Sequence, residues 1–305
     1  MGMKFFYQAH DFYAGQFTKT LSPKFDGFNE RIALWFIAWL NNYSPVLLGG
    51  LVRDFEKNLS SLEIEMPYKN GILDLGFIES RIRELEESRI RELEAFLSEA
   101  GFDDCTLTPY ETETLHAFLN HQIKFKEFSI CDEIFKVSNS HNILKSSVTL
   151  GSGEYPYVTA SEGNNSIAGY IDYKKELLEK GNVILIGGKT CVITYQPSSF
   201  FSNDSHNLVL DLRDEEHKDE SVYLFLTAAL SSGLKPKYSW GDSISKAKIK
   251  NDSVSLPYSE DGIPDYRFMS SLISAIKKEV IQSLRDFINR EHNTYLNVIQ
   301  NSKQH

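Results

Sequence analysis

The sequence predicts an α+β chain in which strand-rich modules alternate with two long helices that pack as an antiparallel coiled-coil pair. Three observations predict it. Residues 128–212 are dense in β-branched and aromatic residues, with turn dipeptides at Gly151 to Gly153 and Asn164 to Asn165. Two segments, from about residue 74 to 100 and from about 266 to 300, carry apolar residues at the three-and-four spacing of a helix. The stretches that lead into those helices resemble each other at a distance of about 190 residues, which marks an internal repeat.

In chain order, residues 1–65 mix strand-like pieces (KFFYQ, DFY) with the apolar segment IALWFIAWL at 32–40, and end in a strand-like SLEIEMP that meets Pro67. The apolar segment is far shorter than the ~20 residues that span a bilayer, so it reads as a buried core helix. A helix then runs from Asp74 to about Ala100, where Gly101 supplies a stop signal. Thr108, followed by Pro109, Glu111 and Glu113, is the expected order for a new helix start. The strand-dominated stretch follows, closed by a helix at 223–230 and a short strand before Pro257. In the last helix Met269, Ile273, Ile276, Val280, Leu284 and Phe287 form the expected apolar stripe.

Composition bounds the function. The chain has 305 residues, 41% of them hydrophobic, room enough for two modest cores. Cys105, Cys131 and Cys191 stand singly without histidines at ligand spacing, so neither a disulfide framework nor a zinc site is expected, and a reducing cytoplasm fits. No N-terminal signal pattern is legible. A net charge of -10 argues against nucleic acid as a partner unless positive charge is gathered locally.

The first long helix contains ESRIRELE twice in succession, at 79–86 and 87–94. At ~100° per residue an eight-residue step turns the second copy by ~80° relative to the first, yet Ile78, Ile82, Leu85, Ile90, Leu93, Phe96 and Leu97 still share one broad face. Glu79 with Arg83 and Glu87 with Arg91 are expected to pair at i,i+4. The duplication lengthens the helix by ~12 Å, which matters if the helix is a ruler between modules.

The repeat itself is IEMPYKNGILDLGFIES at 64–80 against VSLPYSEDGIPDYRFMSS at 254–271, reconciled by one inserted residue. Upstream, FFYQAHDFY at 5–13 matches VITYQPSSFF at 192–201, and FIAWL at 36–40 matches LTAAL at 226–230. On these residues the chain resembles the specificity (S) subunit of type I restriction-modification systems. The carrying stretches are MPYKNGILDLGFIESRIRELE and LPYSEDGIPDYRFMSSLISAIKKEVIQSL, which match that family's junctions between domain and helix. YPYVTASEGNNSIAGYIDY at 155–173 and GNVILIGGKTCVITYQPSSFFSND at 181–204 look like the opening half of its target recognition domain.

The resemblance implies a partial first target recognition domain at 1–73, a conserved spacer helix at 74–101, a second recognition domain at 102–264 and a second spacer helix at 265–305. It implies that each recognition domain reads half of a bipartite duplex site and that the helices set the gap. The ~12 Å of duplicated helix then corresponds to roughly three to four base pairs. It also implies methyltransferase (M) subunits as partners, a translocating nuclease (R) subunit in a cleaving system, and self-association or a second S chain through the helices. No membrane partner and no cofactor are implied. The first module begins at what corresponds to about residue 190 of the second, so it lacks a counterpart of roughly residues 128–193.

The stretch KPKYSWGDSISKAKIK at 235–250 gathers five lysines against one aspartate, with Tyr238 and Trp240 interleaved. Lys235, Lys237, Tyr238, Trp240 and Lys246 are candidates for contacts to the DNA backbone. Thr159, Ser161, Asn164, Asn165, Lys189, Ser198, Ser199 and Asn203 are candidates for loops that reach base edges in the groove. Gln8, His10 and Lys19 hold comparable places in the partial module. Catalytic constellations are missing. GGKT at 187–190 would need a glycine where Val183 stands to be a phosphate loop, GSGEY at 151–155 is no dinucleotide fingerprint, and no GxSxG nucleophile elbow is found. Glu216-His217-Lys218 reads as a solvated turn, and His116 and His121 do not share a helix face. Two readings stay open. One is a non-catalytic DNA specificity subunit, and the other is a truncated or rearranged S-like fragment that needs another S chain to complete the reader.

Overall fold

The computed structural model of the chain describes residues 3–16, 18–47, 54–99 and 104–302, with side chains described to 288 and at 290. The architecture is α+β and divides into two compact units, residues 1–103 and 104–305. No described helix is long and apolar enough to cross a membrane.

The first unit holds α1 (Glu30–Asn42), α2 (Ser44–Leu47), α3 (Phe55–Ser60), the two-strand hairpin β1 (Tyr68–Lys69) and β2 (Ile72–Leu73), and α4 (Leu75–Glu99). Asn29 caps α1 by accepting from the Ile32 amide at 3.1 Å. Helix α1 packs on α4, burying Ile32 and Ala33 on one side and Ile78 on the other. The expected fully buried helix is only half realised. Leu34 is 40% exposed, because α4 covers one flank alone while Phe25 and Phe28 close over Phe36 at ring distances of 6.0 and 6.3 Å. The expected strands in KFFYQ, DFY and SLEIEMP do not form. A strand needs a neighbour for its backbone groups, and here the Phe5 amide goes instead to the Asn41 side chain at 3.3 Å.

Along α4 the ion pairs are not the expected i,i+4 set. Arg81 pairs with Glu84 at 2.8 Å and Arg89 with Glu92 at 2.7 Å, the same i,i+3 pair in each octad copy. Glu79 is drawn off to Asn29 and Glu86 to Arg31 on α1, the latter at 2.9 Å. Ile78 and Leu97 are buried, whereas Leu85 and Phe96 are about half exposed or more. The stop expected at Gly101 lies outside the described residues.

The second unit opens with α5 (Pro109–Leu119), started by a complete capping box in which Thr108 and Glu111 each accept from the other's backbone amide. Strand β3 (Phe125–Ser129) pairs antiparallel with β11 (Ser253–Pro257). A π turn at Ile130–Ile134 leads into β4 (Phe135–Asn139). That strand belongs to an antiparallel sheet of order β4-β10-β7-β8, with β7 at Val183–Ile186, β8 at Ile193–Gln196 and β10 at Leu208–Leu212. A second sheet, β6-β5-β9, joins β5 (Tyr155–Val158) to β6 (Ile167–Ile171) antiparallel and to β9 (Phe201–Ser202) parallel.

Strand β7 reads VILI because both its faces are buried. Ile184 and Ile186 point into the main core with Leu210, while Val183 and Leu185 join Val158, Phe200 and Val209 in a second cluster. Helix α6 (Glu220–Leu234) seals the main core with Tyr223, Leu226 and Leu230. Helix α8 (Tyr266–Ser302) packs its opening turns between α5 and α6. The predicted stripe is realised in part. Met269 is buried and Ile273 packs on the main core, while Ile276, Val280 and Phe287 are exposed and Leu272, Ala275, Ile281 and Ile288 are buried instead.

The repeat is realised in backbone geometry at the two helix entrances. The Asp74 amide donates to the Pro67 carbonyl at 2.8 Å, and the Asp265 amide to the Pro257 carbonyl at 2.9 Å. Asp74 then accepts from the Phe77 amide at 2.9 Å to cap α4, as Asp265 accepts from the Phe268 amide at 2.9 Å to cap α8. Between proline and aspartate each segment makes a tight turn on a left-handed glycine, Gly71 or Gly262.

Candidate nucleic-acid interface

The lysine-rich strip at 235–250 is a surface run pinned from beneath. Leu234, Ile244 and Ile249 are buried in the main core together with Cys191 of the β7–β8 turn. Between these anchors Ser239 and Asp242 exchange two backbone hydrogen bonds, 3.2 and 3.0 Å, and hold a turn whose tip carries Trp240 at 76% exposure. Helix α7 (Lys246–Ile249) follows, its start capped by Ser245.

Two of the five lysines are held by carboxylates. Lys237 pairs with Asp252 at 3.0 Å, and Lys248 with Asp242. Asp252 also accepts from the Tyr238 hydroxyl. Burial pushes the Tyr238 phenol well up, and the Asp252 carboxylate adds to the rise, so the ring stays a neutral hydrogen-bond donor. Tyr238 and Lys237 therefore brace the turn, while Lys235, Lys246 and Lys250 stand exposed without an ion pair among the described residues. This is the cation supply of the strip.

Three loops converge on one another around the β7–β8 turn, whose Cys191 shares the main core with the strip's anchors. The β5–β6 loop carries Thr159, Ser161, Asn164 and Asn165, the β7–β8 turn carries Lys189, and the β9–β10 turn carries Asn203. The Thr190 hydroxyl donates to the Ala160 carbonyl at 2.9 Å, the Asn203 amide to the Val158 carbonyl at 3.1 Å, and the Gly188 amide to the Asn207 side chain at 3.2 Å. Lys189 approaches Asp204 at 3.7 Å. Burial raises the Asp204 carboxyl, but His206 and Lys189 more than offset it and hold the group below its ordinary value. Lys235 lies within electrostatic reach of this cluster, since its charge opposes the upward push that burial gives the Cys191 thiol.

Within the β5–β6 loop the candidate side chains are partly occupied. Asn164 donates to the Ile167 carbonyl and Asn165 to the Tyr195 carbonyl, both at 2.8 Å, and the Thr159 and Ser161 hydroxyls meet at 3.2 Å. Asn164 and Asn165 both adopt left-handed backbone conformations. Their carboxamide oxygens and the two hydroxyls supply acceptors of the kind that meet base edges.

Other candidates lie elsewhere. Ser198 and Ser199 pack near Gly181, at the opposite end of the β7–β8 hairpin from Lys189. In the first unit Gln8 and His10 are exposed in a segment without strand structure, and Lys19 pairs with Glu56 at 2.8 Å. Gln8 does not reproduce its repeat partner Gln196, which is buried and donates to the Thr194 hydroxyl and the Asn165 carbonyl. Geometry adds Thr190, His206 and Lys250 to the candidates. The Asp204-Ser205-His206 turn, closed by the His206 ring on Asp204 at 2.7 Å, was the sequence signal for one of them.

A family model described as the type I restriction modification DNA specificity domain matches residues 123–286, a span that contains the strip and the three loops. The chain is 22% identical over 279 residues to the type II restriction enzyme BgcI specificity subunit S.BcgI of Heyndrickxia coagulans, covering 90% of this chain and 75% of that one. Among solved structures it is similar to a type I restriction-modification system S subunit from M. genitalium, at 16% identity and a TM-score of 0.42, covering 72% of this chain. It is also similar to an HsdS subunit from Thermoanaerobacter tengcongensis, at 16% identity and a TM-score of 0.38, covering 82% of this chain. The chain spans 60% and 66% of the length of those two structures.

Proposed function

The chain belongs to the type I restriction-modification DNA specificity family, and from that premise we propose that it is a non-catalytic subunit that reads duplex DNA. The observation that carries the reading is the convergence of three polar loops, with Lys235 of the pinned lysine strip within electrostatic reach of them, inside the matched region. Lys235, Lys246 and Lys250 would engage phosphates and fix the register of the duplex. Trp240 supplies a large apolar surface at the same edge. Thr159, Ser161, Asn164, Asn165, Lys189 and Asn203 would then face the groove, where hydroxyls, carboxamides and a lysine distinguish base pairs by donor and acceptor pattern. A net charge of -10 is compatible with this division of labour, because the strip gathers five lysines against one aspartate and so carries a local excess of positive charge.

The finer proposal concerns assembly. Residues 1–73 and 102–264 would be two recognition domains, the first of them partial. Helices α4 and α8 would pair as antiparallel spacers that set the gap of a bipartite target. Methyltransferase subunits, with a translocating nuclease subunit in a cleaving system, would supply the chemistry, in a cytoplasmic complex. Selection of bound duplexes from a random library, with and without the methyltransferase subunit and at two salt concentrations, tests this. A two-part motif of fixed gap supports the full proposal, and a single half-site restricts reading to the second unit. Retention without sequence preference, with the methyltransferase present, refutes it.

A further inference from the structure

The β5–β6 loop is held in a backbone state that it would not keep alone. Gly163, Asn164, Asn165 and Ser166 follow one another at positive φ, with values of 82°, 44°, 47° and 64°. Asparagine tolerates this region better than most residues. Three successive side chains there, with Ser166 among them, still need support from their surroundings. Part of that support is internal. The Ser166 hydroxyl donates to the Ser161 carbonyl at 2.8 Å, and the Ser166 amide to the Gly163 carbonyl at 2.9 Å.

The rest comes from β8, which ends the order β4-β10-β7-β8 and so has an outer edge open to the loop. Asn165 donates from its carboxamide to the Tyr195 carbonyl at 2.8 Å, and Gln196 Nε2 donates back to the Asn165 carbonyl at 3.2 Å. Gln196 is 1% exposed. Its Nε2 also donates to the Thr194 hydroxyl at 2.9 Å, so both hydrogens of the amide are spent. Strand β8 is itself firmly seated. The Tyr195 ring stacks on Tyr223 of α6 at 5.2 Å, and its hydroxyl donates to Asn182 at 2.9 Å. Through Tyr195 and Gln196 the loop is tied to the main core.

We propose that Gln196 is a positioning residue for base recognition. Buried and touching no DNA, it fixes the Asn165 backbone, and with it the direction in which Thr159, Ser161, Asn164 and Asn165 meet the groove. The inference rests on the reading of the chain as a DNA-reading subunit. Hydrogen bonds weaken steeply out of alignment, so a loop freed from its edge strand loses discrimination between bases. It keeps the affinity that lysines supply through phosphates.

Q196M in the full chain tests this, since methionine keeps the length of the side chain and donates nothing. T194V is the control, because it removes the other partner of the same Nε2 group and leaves the bond to the loop. Affinities are measured, with the methyltransferase subunit present, for the duplex that the parent selects from a random library and for each of its single base-pair substitutions. A wrong base pair typically costs roughly five- to 150-fold in affinity. Q196M is expected to lose about tenfold of that discrimination at the base pairs where T159A/S161A also loses it, and to keep the parent's slope of log affinity against log salt. Amide exchange of residues 159–167 in the free chain is expected to quicken about tenfold in Q196M. T194V is expected to keep both the base preference and the loop exchange of the parent. A selective parent whose preference survives in Q196M overturns the inference alone, as does an equal loss in T194V. A parent without base preference overturns the DNA reading and the inference with it. If Q196M does not fold, Q196N decides by the same readouts, because it keeps the amide but stops one methylene short of the Asn165 carbonyl.

Discussion

Replacing Glu111 by glutamine tests how the second unit is held together. Glu111 is 7% exposed. One carboxylate oxygen accepts from the Thr108 amide and from Lys278 of α8, both at 2.7 Å, and the other accepts from the Ser274 hydroxyl at 2.6 Å. Burial raises this carboxyl, but the bonds from Lys278, Ser274 and Thr108 outweigh it and bring it down from 4.5 to about 2. At 1.36 kcal/mol per unit such a depression is worth about 3 kcal/mol at neutral pH. Lys278 is 24% exposed, and screening there reduces the working figure to about 2 kcal/mol. Because the folded value lies below the unfolded one, the stabilisation is complete above pH 4.5 and fades as the pH falls toward 2. Glu111→Gln keeps an acceptor for the Thr108 amide and removes the charge. Amide exchange of residues 109–119 is expected to quicken about thirtyfold at pH 7, and the gap between the two proteins is expected to shrink at pH 4 and below. A gap under about 0.5 kcal/mol at pH 7, or one that stays constant down to pH 3, would refute the reasoning.

Three further outcomes are expected. Asp211→Asn removes the partner of Lys180 and Lys218 from a 9% exposed site, and the urea midpoint should fall by the equivalent of about 2 to 3 kcal/mol. In Gly188→Ala the new Cβ would lie 2.4 Å from the His206 carbonyl oxygen, so the β7–β8 and β9–β10 turns must part; a loss of about 1 to 3 kcal/mol in urea unfolding and weaker DNA retention are expected together. The triple variant K235A/K246A/K250A should leave the unfolding midpoint unchanged. In a salt titration of DNA binding, the slope of log affinity against log salt should fall by about 0.9 for each phosphate that the variant no longer neutralises.

Features written locally were legible from the residues alone. Thr108 with Glu111 announced a helix start, and the recurring proline-to-aspartate segments announced the two entrances, because caps and turns are decided within a few residues. Pairings across distance were not legible. Nothing near Lys237 or Tyr238 reveals that Asp252 takes a bond from both, so two residues expected to meet phosphate also brace a turn. The α8 stripe was right at Met269 and Ile273 and drifted beyond them, because its spacing was counted without knowing that α5 and α6 would grip the helix. The loop candidates fared unevenly for a topological reason. Lys189 and Ser198 flank the same hairpin but lie at opposite ends of it, a distinction that requires knowing the ladder from Val183 to Gln196.

The long reach of the β3–β11 pairing governs how the chain comes to be folded during its own synthesis. Strand β3 is complete by Ser129, but the strand that saturates its edge ends at Pro257. A ribosome adding about 5 to 20 residues per second needs roughly 6 to 26 seconds to cover that interval. Through that wait Phe128, which ends fully buried, has no β11 to lie beside. The Glu111 clamp waits longer still, until Lys278 has left the exit tunnel. Helices α1 and α4 need no such delay, so on the translating ribosome the first unit docks early, and the second closes only as the last helix emerges.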